Sequence, residues 1–215
     1  MYFDAYLFQT YDFRPISTLF SNVVLIAIWI VFILVAYTEK LITKIQQTSL
    51  HEMEESSLRD TLTGINNRRF AEKFFKEEIK NDKGFRCFFC LIDIDNFKSI
   101  NDTYGHNAGD LVLRVLGDVL SRNIRKTDLA CRWGGEEFLI AMPGCGIETG
   151  LSTMERIRHD FENESVHTQS GIIRATITGG AAVMTDVTQS VEEILHIIDE
   201  KLYEGKRSGK NRIVD

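Results

Sequence analysis

Arg132-Trp133-Gly134-Gly135-Glu136-Glu137-Phe138 decides how the rest of the chain reads. Leu129, Ala130 and Cys131 precede it, and Leu139, Ile140, Ala141 and Met142 follow. Two short apolar runs joined through a Gly-Gly pair predict a β-hairpin. The glycines supply the backbone freedom of a tight turn and let a ligand approach the main chain. Glu136 and Glu137 stand directly behind them. Neighbouring side chains on a strand point to opposite faces. The two acids are therefore expected to do different jobs, one facing a ligand or metal and the other reaching across or supporting it.

Upstream, residues 85–94 form an apolar run that reads as a buried strand ending in Asp93-Ile94-Asp95. Ligand sites in α/β sheets gather at strand ends. Asp93 is the stronger metal candidate, because a carboxylate closing an apolar strand needs a partner. Brought beside Glu136, it would make an oxygen site suited to Mg²⁺, which takes one or two carboxylates together with phosphate oxygens. The plain alternative for Asp95 is that it caps a helical turn starting near Asn96. Residues 96–110 are dense in side chains that read a base edge or hold phosphate: Lys98, Asn101, His106 and Asp110. Asn and Asp suit the mixed donor and acceptor edge of guanine. Each could equally be a capping residue, Asp110 above all.

Hydrophobic periodicity predicts helices over 68–80, 107–125, 148–162 and 191–207, and a strand run over 172–184. The first of these helices carries Phe70, Phe74, Phe75 and Ile79 on one side. Strands alternating with helices, plus one hairpin, indicate an α/β sandwich of two or three layers. The net charge of -6 argues against broad nucleic-acid binding, which needs clustered Lys and Arg. It leaves room for a small anionic ligand held by a few cations or a metal. Cys87 and Cys90 have C-x-x-C spacing. On a strand, residues three apart face opposite ways, so they are expected to be buried free thiols rather than a redox or zinc pair. Reduced cysteines fit a cytosolic domain.

The N-terminal end is different. Residues 1–17 are aromatic-rich and carry Asp4, Asp12 and Arg14. No charge occurs from Ile16 to Thr38. A run of that length crosses a bilayer core of about 30 Å and predicts a transmembrane helix over 18–38. Lys40 and Lys44 follow the run and only Arg14 precedes it, which puts the C-terminal side in the cytoplasm. Residues 39–58 lack Gly and Pro and carry an imperfect stripe of Leu41, Ile42, Ile45, Leu50, Met53 and Leu58. They read as a helical linker, with Thr48, Ser49 and Glu52 interrupting any coiled-coil heptad. The soluble domain occupies 59–215.

At this point the chain resembles a known family. "DTLTGINNRR" (60–69), "LIDIDNFKSINDTYGHNAGD" (91–110), "RWGGEEF" (132–138) and "YEGKRSGKN" (203–211) follow one another as the motifs of diguanylate cyclases do, a family named for its G-G-D/E-E-F signature. The resemblance implies a palm-like, nucleotidyl cyclase-like α/β fold, with antiparallel strands in a central sheet flanked by helices. It implies that two GTP molecules are condensed into cyclic di-GMP, with release of two pyrophosphates. Carried onto this chain, Asp93, the Ile94 carbonyl and Glu136 would hold two divalent metals, Mg²⁺ or Mn²⁺. Asn101 and Asp110 would recognise guanine, with His106 nearby. Lys98 would stabilise charge on the transferring phosphoryl group, Lys206 and Lys210 would hold distal phosphates, and Glu137 would help deprotonate the ribose 3′-hydroxyl. Lys210 stands where an Arg is common, which turns a bidentate grip into a point charge. Arg125 and Asp128 resemble the family's product-inhibition site, which binds cyclic di-GMP. One domain holds one GTP, so the resemblance also implies a homodimer. Together with the apolar run, it implies an inner-membrane protein with its catalytic domain in the cytoplasm.

Two other readings stand beside it. A non-catalytic cyclic di-GMP receptor would use Arg125 and Asp128, but such receptors usually have a damaged signature turn, and this one is intact. A structural membrane adaptor would leave the polar cluster unexplained.

Overall fold

A computed structural model of the protein describes residues 14–56, 58–78, 86–169, 171–185 and 190–215, with side chains in the first helix described from Ser21 to Ile45. The chain divides into two compact units, Met1–Glu54 and Glu55–Asp215. Helix α1 (Arg14–Ser56) runs without a break through the expected span and linker. Within it, Ser21–Ile45 has a mean hydropathy of 2.3 and an apolar window with 0% burial. At about 1.5 Å per residue this stretch is about 37 Å long, enough by length and composition to cross a bilayer core. It reaches further toward the C-terminus than the expected 18–38. Residues 1–13 and the side chains of Leu50 and Met53 lie outside the described residues.

The second unit runs β1 (Asn66–Asn67), α2 (Arg68–Glu78), β2 (Cys87–Ile94), α3 (Phe97–Tyr104), α4 (His106–Asn123), β3 (Leu129–Arg132), β4 (Glu137–Pro143), α5 (Ile147–Asn163), β5 (Val166–Thr168), β6 (Gly171–Ile173), β7 (Ile177–Met184), α6 (Val191–Arg207) and β8 (Ile213–Val214). A strand covered on both faces must be apolar without alternation. That is how β2 reads, and every one of its residues is buried. It pairs antiparallel with β4 on one side and β7 on the other. The six-stranded sheet has the order β1-β3-β4-β2-β7-β8, with β1 and β8 joining in parallel.

Alternation along the strands sends side chains into two cores. On one face Ile92, Phe138 and Ile140 meet Val112, Leu116 and Phe161 of α4 and α5. On the other, Leu91 and Leu139 meet Phe75 of α2 and Ile198 and Leu202 of α6. The sandwich therefore has three layers. Cys90 belongs to the first core and Cys87 to the second, so the C-x-x-C pair is split across the sheet. The cysteines at 87, 90, 131 and 145 are free thiols.

Two local expectations change, and one runs out of the described residues. The run over 172–184 is two strands: β6 folds back on β5 as a separate ribbon, and β7 begins only at Ile177. No Gly or Pro marks the break at Arg174-Ala175-Thr176, so periodicity could not see it. The stretch 97–104 is a helix of its own. The helix read over 68–80 is described to Glu78; Ile79, Lys80 and Phe85 lie outside the described residues.

Candidate active site

The predicted hairpin is β3 and β4, joined by residues 133–136. Its free end meets the end of β2. Asp93 stands directly opposite Glu137 in the antiparallel register. Asp93 shares its face with Leu91, and Glu137 with Leu139, so both carboxylates leave the sheet on the side covered by α6. Side chains so paired start about 5 Å apart. The buried Asp93 carboxylate finds its partner in Lys206 of α6, whose Nζ lies 2.9 Å from Oδ2. Burial pushes the Asp93 carboxyl above its ordinary range; Lys206 opposes the rise and Asp95 adds to it. Burial, and after it the charge of Asp93, pushes Glu136 and Glu137 up as well.

The signature turn is tied down from behind. Arg132 donates from Nε and Nη2 to the Gly135 carbonyl at 3.1 and 2.7 Å. Its Nη1 lies 3.3 Å from both carboxylate oxygens of Asp60. Asp60 also accepts from the backbone N–H and the hydroxyl of Thr63. Burial raises the Asp60 carboxyl, but the Thr63 hydrogen bonds and the Arg132 charge outweigh it, and the net shift is downward. Trp133 and Gly134 donate their N–H groups to the Glu137 carbonyl at 2.8 and 3.2 Å. A Cβ on Gly134 would come 2.7 Å from Glu137 Oε2, so the glycine leaves the space that this carboxylate uses. The Arg68 guanidinium lies 4.4 Å over the Trp133 ring.

Asp95 is not a helix cap. Asn96 precedes α3 with φ 57° and makes no side-chain cap. The buried Asp95 carboxylate instead accepts from Thr176 Oγ1 and Thr178 Oγ1, each at 2.7 Å, and from the Asn211 backbone N–H at 3.1 Å. It braces the end of β2 against the segment entering β7 and the loop after α6. Asp110 is not a cap either: α4 begins at His106 after Gly105, and Asp110 lies inside the helix.

The remaining candidates fall into two groups. Lys98 and His106 are exposed in the first turns of α3 and α4. The Asn101 amide occupies the space that a side chain at Gly109 would need, which puts it beside the residue before Asp110. Lys210 donates from Nζ to Asn96 Oδ1 at 2.6 Å. Lys206 and Lys210 thus reach the two ends of the loop from Asp93 to Asn96, and α3 carries Lys98 and Asn101 onward from it.

Arg125 and Asp128 belong elsewhere. They precede β3, whose first residue pairs with Ala141, about 13 Å along β4 from Glu137. Their loop is closed by the Arg125 N–H donating to Asp128 Oδ2 at 2.8 Å. Beside it is a cavity of about 530 Å³, lined by Arg125, Asp128, Asn123, Cys145, Ser152 and Arg156 among others. Arg156 was not singled out from the sequence. Thr149, Ser152, Thr153 and Arg156 nevertheless form a polar stripe at helical spacing on α5, and that stripe was there to be read.

The family model described as diguanylate cyclase, GGDEF domain, matches residues 57–212. The chain belongs to the GGDEF domain family. The GGDEF domain is 37% identical over 170 residues to the diguanylate cyclase DosC of Escherichia coli, a match covering 78% of this chain and 36% of that protein. It is 36% identical over 172 residues to the response regulator PleD of Caulobacter vibrioides, covering 78% of this chain and 38% of that protein. The chain therefore spans about a third of the length of these curated relatives. Among solved structures, the coiled coil and GGDEF domain of DgcB from Caulobacter crescentus, in complex with c-di-GMP, has a TM-score of 0.75 at 26% identity, covering 80% of this chain and 92% of that one. The three-layer arrangement is the palm-like fold of these domains.

GGDEF cyclases work with divalent metal, and the acids of this GGDEF domain fit one. Asp93, Glu136 and Glu137 crowd one strand end; burial raises all three carboxyls and the charge of Asp93 raises the two glutamates further, with Lys206 the cation in direct contact. Among the described residues, no group of three or more His, Cys, Asp or Glu side chains forms a ready metal cage. An open, acid-rich site of that kind suits Mg²⁺, which keeps waters and takes substrate phosphates to complete its shell.

Proposed function

We propose that the chain is a membrane-anchored diguanylate cyclase. It condenses two GTP molecules into cyclic di-GMP by attack of a ribose 3′-hydroxyl on an α-phosphate, releasing two pyrophosphates. The observation that carries the reading is the Asp93–Glu137 pair at the end of β2, with Glu136 alongside and Lys206 in contact. The intact signature turn favours catalysis over a receptor role.

Asp93, the Ile94 carbonyl and Glu136 are the groups that would hold Mg²⁺, which when bound neutralises phosphate charge and eases ionisation of the attacking hydroxyl. Asn101 and Asp110 match the guanine edge, an amide and a carboxylate supplying the acceptors and the donor it needs, with His106 adjoining. Lys98 steadies the transferring phosphoryl group, and Lys206 and Lys210 bring point charges to the distal phosphates. Glu137 takes the proton from the 3′-hydroxyl. Burial and the neighbouring Asp93 raise its carboxyl, which makes it a stronger base than an ordinary glutamate.

Each domain supplies half of the reaction, so catalysis requires a homodimer in which two sites face each other. Cyclic di-GMP binding at Arg125 and Asp128 then restrains the enzyme, with a cavity in the size range of small-ligand sites beside them. Residues 18–38 cross the inner membrane, 39–58 link, and 59–215 catalyse in the cytoplasm.

The test is product formation by the full-length protein in detergent with GTP and Mg²⁺. Wild type is expected to make cyclic di-GMP, and Glu137→Gln to bind GTP without making any. Wild-type turnover in that variant would remove Glu137 from the mechanism. GTP binding by wild type without product, under several dimerising conditions, would favour the receptor.

A further inference from the structure

Among the described residues, three non-glycine residues have positive φ: Asn96 at 57°, Lys210 at 64° and Asn211 at 46°. All three meet at one place, because Lys210 Nζ donates to Asn96 Oδ1. Asn tolerates the left-handed region; Lys does so much less readily, and two such residues in succession are not a local preference. Conformations of this kind persist only where the surroundings hold them, and they collect at functional sites.

The surroundings here are specific. The Asn211 side chain is used at both ends: its Nδ2 donates to Glu162 Oε1 at 3.0 Å, and its Oδ1 accepts from Arg158 Nη1 at 2.7 Å. Arg158 also contacts Glu162 Oε2 at 3.1 Å and Glu155 Oε2 at 2.8 Å. The Asn211 backbone N–H goes to Asp95. Ending α6 does not require this, because the Ser208 N–H already closes the helix on the Glu204 carbonyl. The Lys210 N–H also reaches back to the Gly205 carbonyl at 3.0 Å, so α6 holds Lys210 on one side and the clamp on Asn211 holds it on the other. A lysine is a point charge on a flexible stem, so where its backbone stands decides where its charge can go.

We propose that Arg158, Glu162 and Asn211 are positioning residues. Together they clamp the loop after α6 in its left-handed form, so that Lys210 is set in advance for the distal phosphates of the nucleotide. The proposal rests on the cyclase reading above and extends it to Arg158 and Glu162 on α5 and to Asn211, which lie outside the metal and nucleotide ligands proposed there.

The experiment uses full-length protein in detergent, with Arg158→Met, Arg158→Lys and Asn211→Gly. Glycine adopts φ 46° without strain, so Asn211→Gly keeps the loop's conformation accessible while removing the side-chain clamp. Arg158→Met is expected to raise KM for GTP by about tenfold with kcat within about twofold, the scale of a lost charge-assisted contact. GTP binding should weaken by the same factor, while binding of GMP, which lacks the distal phosphates, stays unchanged. Asn211→Gly should move in the same direction with an unchanged melting temperature, and Arg158→Lys should recover part of the loss. Equal losses for GTP and GMP would make the clamp merely structural and overturn the proposal. So would unchanged GTP affinity in Asn211→Gly, which decides the matter if Arg158→Met fails to fold. A wild-type protein that binds GTP but shows no difference from the variants sinks the clamp alone. A wild-type protein that binds no GTP sinks the cyclase reading and the clamp with it.

Discussion

Replacing Asp95 with alanine separates structure from chemistry at the strand end. Asp95 sits two residues after the proposed metal ligand Asp93, and sequence spacing alone would let it share that role. Its contacts say otherwise. The carboxylate is 4% exposed and accepts from two threonine hydroxyls and one backbone N–H. Hydrogen bonds to a charged group contribute about 1.5–3 kcal/mol each, offset by the cost of burying the charge. In Asp95→Ala the hydroxyl of fully buried Thr178 loses its acceptor, and so does the Asn211 N–H. Each orphaned donor costs about 1–3 kcal/mol. The net loss is then about 3–4 kcal/mol, which for a domain of this size lowers the melting temperature by about 10 °C. Thr176→Val, which removes one bond and leaves the carboxylate its other donors, is the internal scale and should lose about 1 kcal/mol. The assay is thermal unfolding of the full-length protein, followed by near-ultraviolet circular dichroism, with GTP turnover on the same samples. A melting temperature unchanged in Asp95→Ala, alongside abolished turnover, would refute the reasoning and return Asp95 to the catalytic acids.

The acid cluster should make the Mg²⁺-free protein more stable as pH falls. Asp93, Glu136 and Glu137 have carboxyls raised above their ordinary 3.8 and 4.5, so the folded state takes up protons first, and stability climbs as pH falls through their folded values toward those ordinary ones. Glu137→Gln should flatten that climb and raise the melting temperature at pH 7; a flat wild-type profile would contradict it. Asp60 has the opposite sign: its lowered carboxyl contributes stability above 3.8 that is lost as pH falls through its folded value, and Arg132→Met should shrink that acid-side loss. Arg125→Ala should weaken cyclic di-GMP binding by about tenfold or more and relieve product inhibition without changing initial turnover, measured by calorimetry and progress curves. The full-length protein should stay in the membrane fraction through alkaline carbonate, and release by that wash would argue against a spanning α1.

Much of this fold was legible because burial writes itself into residue type. A strand covered on both faces has no polar positions to alternate, and β2 shows none before Asp93. Helix α6 was read from 191 to 207 and runs Val191–Arg207, since Ser190 and Glu193 form a capping box and the apolar stripe repeats cleanly. The break between β6 and β7 was not legible. It is set by a change of partner: β6 turns back on its neighbour β5, while β7 joins β2, far earlier in the chain. Helix α3 shows in the sequence only as a turn near Asn96 for another reason. Only Phe97 and Ile100 of its eight residues are buried, too few to set an apolar period.

The site divides along the same line. Residues that act by their own chemistry announce themselves by type: a carboxylate ending an apolar strand, or a diglycine beside two acids. Residues that act through a neighbour do not. Asp95 and Arg158 look from the sequence like a cap and a solvated helix charge, and each becomes meaningful only through a partner 53 or more positions away. Those partners also explain why the acids can stand together at all. Asp93, Glu136 and Glu137 repel one another, and repulsion at a strand end would fray the pairing of β2 with β4. Lys206 answers part of the charge from above. Arg132 answers none of it: it holds the turn that bears Glu136 by its carbonyl, and anchors that grip on Asp60. The fold thus keeps a surplus of negative charge by fixing the backbone around it, with Lys206 in contact with Asp93 and the proposed cation left to answer the rest.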